Sequence, residues 1–382
     1  MAFVDDDLEM YMQLNGIVNM EIVNFIDDNE PRRILKQEDP FVELSDRKFI
    51  GTYRLSKQLV EELIDTLTPY MNSPMTSSGI TIKRKVLTAL RFFASGSYQQ
   101  DIGEHRGAAL SQPSVSRCIT EVAEALNNPI ILNKYIHFPS TIEQLNIIRQ
   151  GFYNKFGIPG VIGVIDGTHV AIVPPNTADD VYPEHIYVNR KGYHSINTQL
   201  ICDSDLMILN VCAKFPGSTH DSHIWRLSPV EGPMKHLHAI GQTSYFLLGD
   251  SGYPLRQWLL TPLYQPQPNT PEANYNKWFC RTRSIIERCN GVLKMRFRCL
   301  LKHRVLHYSP EKAAIIINSC TILHNISISN KIPIIRNIED STDIDLGNID
   351  NDPEVEQIVN RINPELTAGK RMQQTIIDLY FK

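Results

Sequence analysis

The chain has no CxxC pair, and its seven cysteines are scattered and odd in number. This argues against a disulfide framework and fits a reducing, intracellular compartment. It has no run of 18 apolar residues. The best stretch, 313–328, is interrupted by Asn318, Ser319, His324 and Asn325, which reads as a buried helix and not a membrane span. The opening residues carry no charged segment leading into an apolar core, so a secretory leader is not expected. Gly157, Gly160 and Gly163 do not make GxGxxG, and no Walker A sequence occurs, so nucleotide binding has no support. An excess of one charge is also missing. Thirty-eight basic and 42 acidic residues give a net charge of −4 over 382 residues, and that average excludes no partner.

The distribution of charge says more. Acids gather at Asp5-Asp6-Asp7 with Glu9 and again over 339–356. The middle is therefore more basic than the whole, which allows a nucleic-acid surface. Periodicity divides the chain into four parts: an acidic, irregular segment 1–54, a helical domain 55–156, an α/β domain 157–330 and an acidic, disordered tail 331–382. In the helical part Leu55, Leu59, Leu63 and Leu67 recur every fourth residue. Thr81 is placed to cap a helix closed by Gly96, Ser111 to cap the next, and Thr141 with Gln144 has the pattern of a capping box. Strand-like runs follow at 161–173, 194–202, 207–215 and 244–249, with a hairpin expected at Asp203-Ser204-Asp205. Two helices, 283–300 and 309–328, close the fold.

Three acids stand out. Asp166 ends the run Val161-Ile162-Gly163-Val164-Ile165, Asp250 ends Tyr245-Phe246-Leu247-Leu248-Gly249, and Glu287 is the only acid between Arg281 and Arg304. An Asp-Gly pair after an apolar run is, alone, an ordinary turn. Two such sites together with Glu287 suggest three carboxylates around paired divalent ions, the arrangement that phosphodiester chemistry uses. On a helix, Ile286, Cys289, Leu293, Phe297 and Leu300 form an apolar stripe. Arg283, Glu287, Asn290, Lys294 and Arg298 share a neighbouring face. With Arg288, these cations are placed to hold a phosphate backbone; a solvated basic face with a local ion pair is the plainer account.

The segments Val164-Ile165-Asp166-Gly167-Thr168-His169, Asn189-Arg190-Lys191-Gly192-Tyr193-His194-Ser195, Pro216-Gly217-Ser218-Thr219-His220-Asp221-Ser222 and Leu248-Gly249-Asp250-Ser251-Gly252-Tyr253 resemble the PIF/Harbinger DDE transposases. So do Ile286-Glu287-Arg288, Leu293-Lys294 with Arg296-Phe297, and Leu323-His324-Asn325. The set, spanning about 55–328, also resembles the domesticated Harbinger transposase-derived nucleases of animals. The resemblance implies an RNase H-like, mixed-sheet catalytic core behind a helical N-terminal domain, a Mg or Mn cofactor and DNA as substrate. It carries the catalytic and metal-binding triad to Asp166, Asp250 and Glu287, with 36 residues between the last two. Asp221 is a rival metal ligand; it follows a strand and opens a helix, where Asp commonly caps. DNA contacts are expected from Arg283, Arg288, Lys294, Arg298, Arg190, Lys191 and Arg117. The resemblance further implies a Myb-like/SANT partner, work in the nucleus as well as the cytoplasm, and room for a homo-oligomer. A domesticated DNA-binding or adaptor protein that cuts nothing is the alternative. A small-nucleotide phosphohydrolase is a weaker one, because a small substrate needs no extended cationic face.

Residues 81–126 have the outline of a helix-turn-helix, with Lys83, Arg84, Lys85, Arg91, Arg106 and Arg117 as phosphate contacts and Gln112 and Ser114 near the third helix start. A plain helical support domain is the competing account, and Glu121 and Glu124 favour it. His303, His307, Cys320 and His324 can be drawn as a zinc site, but buried packing suits the apolar last helix better.

Overall fold

The computed structural model describes residues 38–74, 76, 79–176, 181–334 and 363–382. Residues Gln37–Lys382 form one compact unit. The helices are α1 (Pro40–Glu43), α2 (Asp46–Tyr53), α3 (Lys57–Leu67), α4 (Ile82–Ser95), α5 (Gln99–Glu104), α6 (Gln112–Leu126), α7 (Pro129–Tyr135), α8 (Ile142–Phe156), α9 (Asp221–Arg226), α10 (Glu231–Ala239), α11 (Pro271–Arg296), α12 (Pro310–Ser329) and α13 (Pro364–Tyr380). The strands are β1 (Val161–Ala171), β2 (Ser195–Cys202), β3 (Ile208–Pro216), β4 (Phe246–Leu248) and β5 (Leu259–Leu260).

Local chemistry sets the helix ends. Thr81 Oγ1 accepts from Arg84 N, and α4 stops at Gly96, whose φ of 62° few other residues adopt cheaply. Thr141 and Gln144 form the expected capping box at the start of α8. Thr270 caps α11, with Pro271 in its first turn. That places the start of the helix twelve residues before position 283, where the sequence led us to expect it.

The sheet has the order β3-β2-β1-β4-β5. β1, β2 and β3 run antiparallel, and β4 and β5 run parallel to β1. The β2–β3 hairpin turns where expected: Asp203 Oδ1 accepts from Asp205 N (2.7 Å) and Met207 N (2.9 Å). α11 packs on β1 and β2, and α12 packs on β3 and against α6. This is the mixed-sheet, RNase H-like core with N-terminal helices that the sequence led us to expect. One apolar core runs from Phe49 of α2 through Phe93 of α4, Val164 of β1 and Phe279 of α11 to Ile377 of α13. The helical part and the sheet therefore share their burial.

Two expectations change. The segment 1–54 is not irregular throughout: α1 and α2 lie within it, and Phe49 and Tyr53 are buried. The tail from 331 is not disordered throughout either. In α13, Ile376 and Ile377 are buried, Gln373 Nε2 donates to Thr261 O (2.6 Å), and Glu365 pairs with Arg256 (2.9 Å) and Lys235 (2.7 Å). A few buried groups at helical spacing fix this segment, and acidic sequence before it conceals them. The acid clusters at 5–9 and 339–356 lie outside the described residues.

Candidate active site

Four elements deliver four carboxylates to one place. Asp166 lies in the middle of β1, inside the strand-like run 161–173, and is 8% exposed. β4 runs parallel to β1 with Val164 beside Leu248. Asp250, two residues beyond Leu248, therefore comes level with Asp166 on a chain about 4.8 Å away. Asp221 opens α9. A Cβ built on Gly167 would stand 2.4 Å from Asp221 Oδ1 and 3.0 Å from Asn197 Oδ1, so only glycine lets α9 approach β1 this closely. Glu287 comes from α11, one turn after Arg283.

Arg283 ties the cluster together. Its Nη2 donates to Glu287 Oε1 (2.5 Å) and its Nη1 to Asp166 Oδ1 (3.4 Å), while Asn290 Nδ2 donates to Asp166 Oδ2 (3.3 Å). Asn197 Nδ2 holds Asp221 Oδ1 (2.9 Å), and Gly252 N donates to Asp250 Oδ1 (2.9 Å). Burial, and then the charge of Asp250, push the Asp166 carboxyl well above the usual carboxylate range against the pull of Arg283. The same two causes raise Asp221 to about 6. Burial raises Asp250, opposed by Arg283, the Gly252 amide and Arg190. Burial, then Asp221 and Asp250, also raise the Tyr253 phenol.

The donor set fits a hard divalent cation in its chemistry. The carboxylates outnumber the guanidinium that meets them. Three polar atoms nearby, Tyr253 Oη, Asn197 Oδ1 and Asn290 Oδ1, are buried without a protein partner. In arrangement the set is not closed: among the described residues no three His, Cys, Asp or Glu side chains converge as ion ligands. The guanidinium of Arg283 stands between two of the acids instead.

The cations divide by location. Arg190 is exposed beside the cluster, meeting His220 Nδ1 (3.1 Å), and its charge reaches Asp221 and Asp250. Lys191, Arg288 and Arg117 are exposed and Arg298 is half-buried. Arg283 and Lys294 are buried, so neither stands on the outer face where a DNA backbone was expected. Lys294 Nζ donates to His169 O (2.8 Å). In the helical part, Lys83 pairs with Asp39 (2.8 Å), Lys85 with Glu121 (2.8 Å) and Arg106 with Glu38 (2.7 Å). Arg84 donates to Ala108 O and Ala109 O, each at 2.6 Å. These cations brace α4–α6, which suits a support domain better than a DNA reader.

The Leu323-His324-Asn325 motif also serves the fold. His324 Nε2 meets Leu206 O (2.8 Å), and Asn325 bonds both the N–H and the C=O of Ile208 (2.9 and 2.7 Å). His303 and His307 are exposed, whereas Cys320 and His324 are fully buried, so the four do not meet as a zinc site. Asn197 and Tyr253 were not singled out as site residues. Tyr253 closes a quoted motif. Nothing local marks Asn197, whose role depends on β2 lying beside β1.

The DDE superfamily endonuclease family matches residues 165–325, a span that holds all four acids. A human protein named "Putative nuclease HARBI1" is 38% identical over 291 residues, covering 75% of this chain and 79% of its own. The Xenopus laevis protein of that name is 33% identical over 342 residues, covering 89% and 92%. The Arabidopsis thaliana "Protein ALP1-like" is 28% identical over 302 residues, covering 74% and 71%. No solved structure shows a significant match. The chain belongs to the Harbinger transposase-derived nuclease family of the DDE superfamily endonucleases.

Proposed function

We propose that this chain is a divalent-metal-dependent DNA endonuclease that hydrolyses phosphodiester bonds, with strand transfer to a DNA 3′ hydroxyl as a related outcome. The observation that carries the reading is the meeting of Asp166, Asp221, Asp250 and Glu287 from four separate elements around a buried strand position. Asp166 with Asp250, and Asp166 with Glu287, are the carboxylates that would hold Mg or Mn, which would supply charge neutralisation for the attacking and leaving oxygens of an in-line displacement. Asp221, fixed by Asn197, supports the Asp250 side. Burial of Asp166 and the bonds from Asn290 and Gly252 hold the carboxylates in place before substrate arrives. Arg190 borders the acids, Lys191 is exposed next to it in the chain, and Arg288 is exposed on the same helix as Glu287. These are the side chains we assign to the DNA backbone, with the exposed Arg117 of α6. A Myb-like/SANT partner, self-association and a nuclear place of work belong to the same reading.

The test is nicking of supercoiled plasmid by purified protein in Mn. Wild type is expected to cut. Asp166→Asn, Asp250→Ala and Glu287→Gln are expected to fold and not cut. Nicking that persists in all three rejects the site. One observation favours a second reading, a DNA-binding or adaptor protein that cuts nothing: the acids as placed do not close on an ion. Salt-sensitive DNA binding without nicking in Mg or Mn selects that reading.

A further inference from the structure

We propose that Arg283 is the built-in counter-cation of the Asp166–Glu287 pair, a positioning residue that keeps one of two ion positions closed until DNA phosphate draws its guanidinium away. The inference rests on the functional reading above and concerns the order in which the site is filled.

The four acids do not share Arg283 equally. Its two terminal nitrogens reach one oxygen each of Asp166 (3.4 Å) and Glu287 (2.5 Å). Asp221 and Asp250 are held by neutral donors, Asn197 and the Gly252 amide. Among the described residues, the site thus has a half in direct contact with a guanidinium, Asp166–Glu287, and a half, Asp221–Asp250, that the charges of Arg190 and Arg283 reach without an ion-pair contact. The first half is well enclosed. Arg283 is 8% exposed, it lies one helical turn from Glu287, and Asn290, on the same helix, fixes the far oxygen of Asp166. The guanidinium can therefore leave only if something offers it an equal partner, because a buried charge stripped of its partner is costly.

A divalent ion meets these halves differently. On the Asp250 side, with Asp221, it relieves repulsion and displaces no cation in direct contact. Between Asp166 and Glu287 it competes with a bound guanidinium. Arg283 has a natural second partner in a phosphodiester, whose oxygens match the guanidinium fork as carboxylates do. Binding of DNA then frees Glu287 and Asp166 together. The consequence is ordered filling: one position open in the bare protein, the other opened by substrate. This also accounts for the buried position of Arg283, which the basic helix alone would place on an outer DNA-facing surface.

The test counts bound Mn on the full chain after chelation, by calorimetry and by the loss of free Mn signal in electron paramagnetic resonance. Without DNA, wild type is expected to take one Mn, and Asp250→Ala to lose it. Arg283→Gln is expected to take two, the second at least about tenfold tighter than wild type shows, since no charged group must be displaced. Arg283→Lys, which keeps the charge, should stay at one, and duplex DNA should bring wild type to two. In chelator, Arg283→Gln should melt lower than wild type and gain more from added Mn. That paired thermal readout identifies a variant that has merely failed to fold, and the Arg283→Lys result then decides. Wild type taking two Mn without DNA, or Arg283→Gln matching wild type in number and affinity, overturns the proposal alone. Absence of Mn binding in every variant, with or without DNA, overturns it together with the nuclease reading.

Discussion

The close approach of α9 to β1 gives a sharp test of how the site is assembled. In Gly167→Ala the new methyl stands 2.4 Å from Asp221 Oδ1 and 3.0 Å from Asn197 Oδ1. Comfortable heavy-atom packing needs about 3.5 Å, so something must move by about 1 Å. The β1 backbone cannot easily yield: Gly167 is paired with Gln199 of β2, and its neighbour Asp166 with Leu200. Asp221 is the group that shifts, taking Asn197 and the first turn of α9 with it. Overpacking of this kind costs about 1–3 kcal/mol of stability, and a 1 Å misplacement at a reacting centre costs about 100-fold in rate. The assay is Mn-dependent nicking of supercoiled plasmid, followed alongside thermal unfolding. Asp221→Ala and the double variant complete a thermodynamic cycle. If the damage runs through Asp221, adding Gly167→Ala to Asp221→Ala should cause little further loss. A Gly167→Ala protein that nicks within about threefold of wild type, or a double variant far worse than Asp221→Ala, would refute this account of the site.

Other expected outcomes follow from single contacts. The raised carboxyl of Asp221, about 6 in the fold against an ordinary 3.8, favours the native state while protonated. That contribution is complete below about pH 4 and is lost as pH rises through about 6, a change on the order of 3 kcal/mol. In chelator, denaturant unfolding should therefore show Asp221→Asn more stable than wild type above pH 6 and equal to it near pH 4. Parallel curves would contradict the sign. Ile377→Ala in α13 should cost about 2–4 kcal/mol in the same assay, because its side chain is 2% exposed; no change would mean that the helix does not dock in solution. Asn325→Ala strips the N–H and C=O of Ile208 of their side-chain partners and should cost about 2–4 kcal/mol, whereas Asn325→Asp should retain part of this through the bond from Ile208 N.

Much of this architecture was legible from local pattern. The caps at Thr81 and Thr141, the hairpin at Asp203 and the stripe Ile286-Cys289-Leu293-Phe297 are set by residues within a few positions of one another, and the structure keeps each. Other features were hidden for a physical reason. β5 is two residues long, and α13 follows an acidic stretch that masks its few buried positions. The apolar part of the run from Val161 ends at Ile165, but β1 continues to Ala171, as the strand-like run 161–173 led us to expect, because its further residues pair with β2. The cations of α4–α6 read as phosphate contacts because sequence does not reveal that Asp39, Glu121 and two backbone carbonyls lie opposite them.

Sequence by itself singled out the side chains that we propose for the chemistry. The four acids, the basic helix and the motif order are properties of residue identity and spacing, and hydrogen bonding within a helix or turn acts over that same short range. Only the tertiary structure decided what each of them meets. The parallel register of β1 and β4 brings Asp250 level with Asp166, Gly167 admits Asp221, and α11 turns Arg283 inward, onto Asp166 and Glu287 rather than outward to DNA. Electrostatic energy depends on distance between side chains and on their exclusion from water, and both are fixed by packing between segments far apart in the chain.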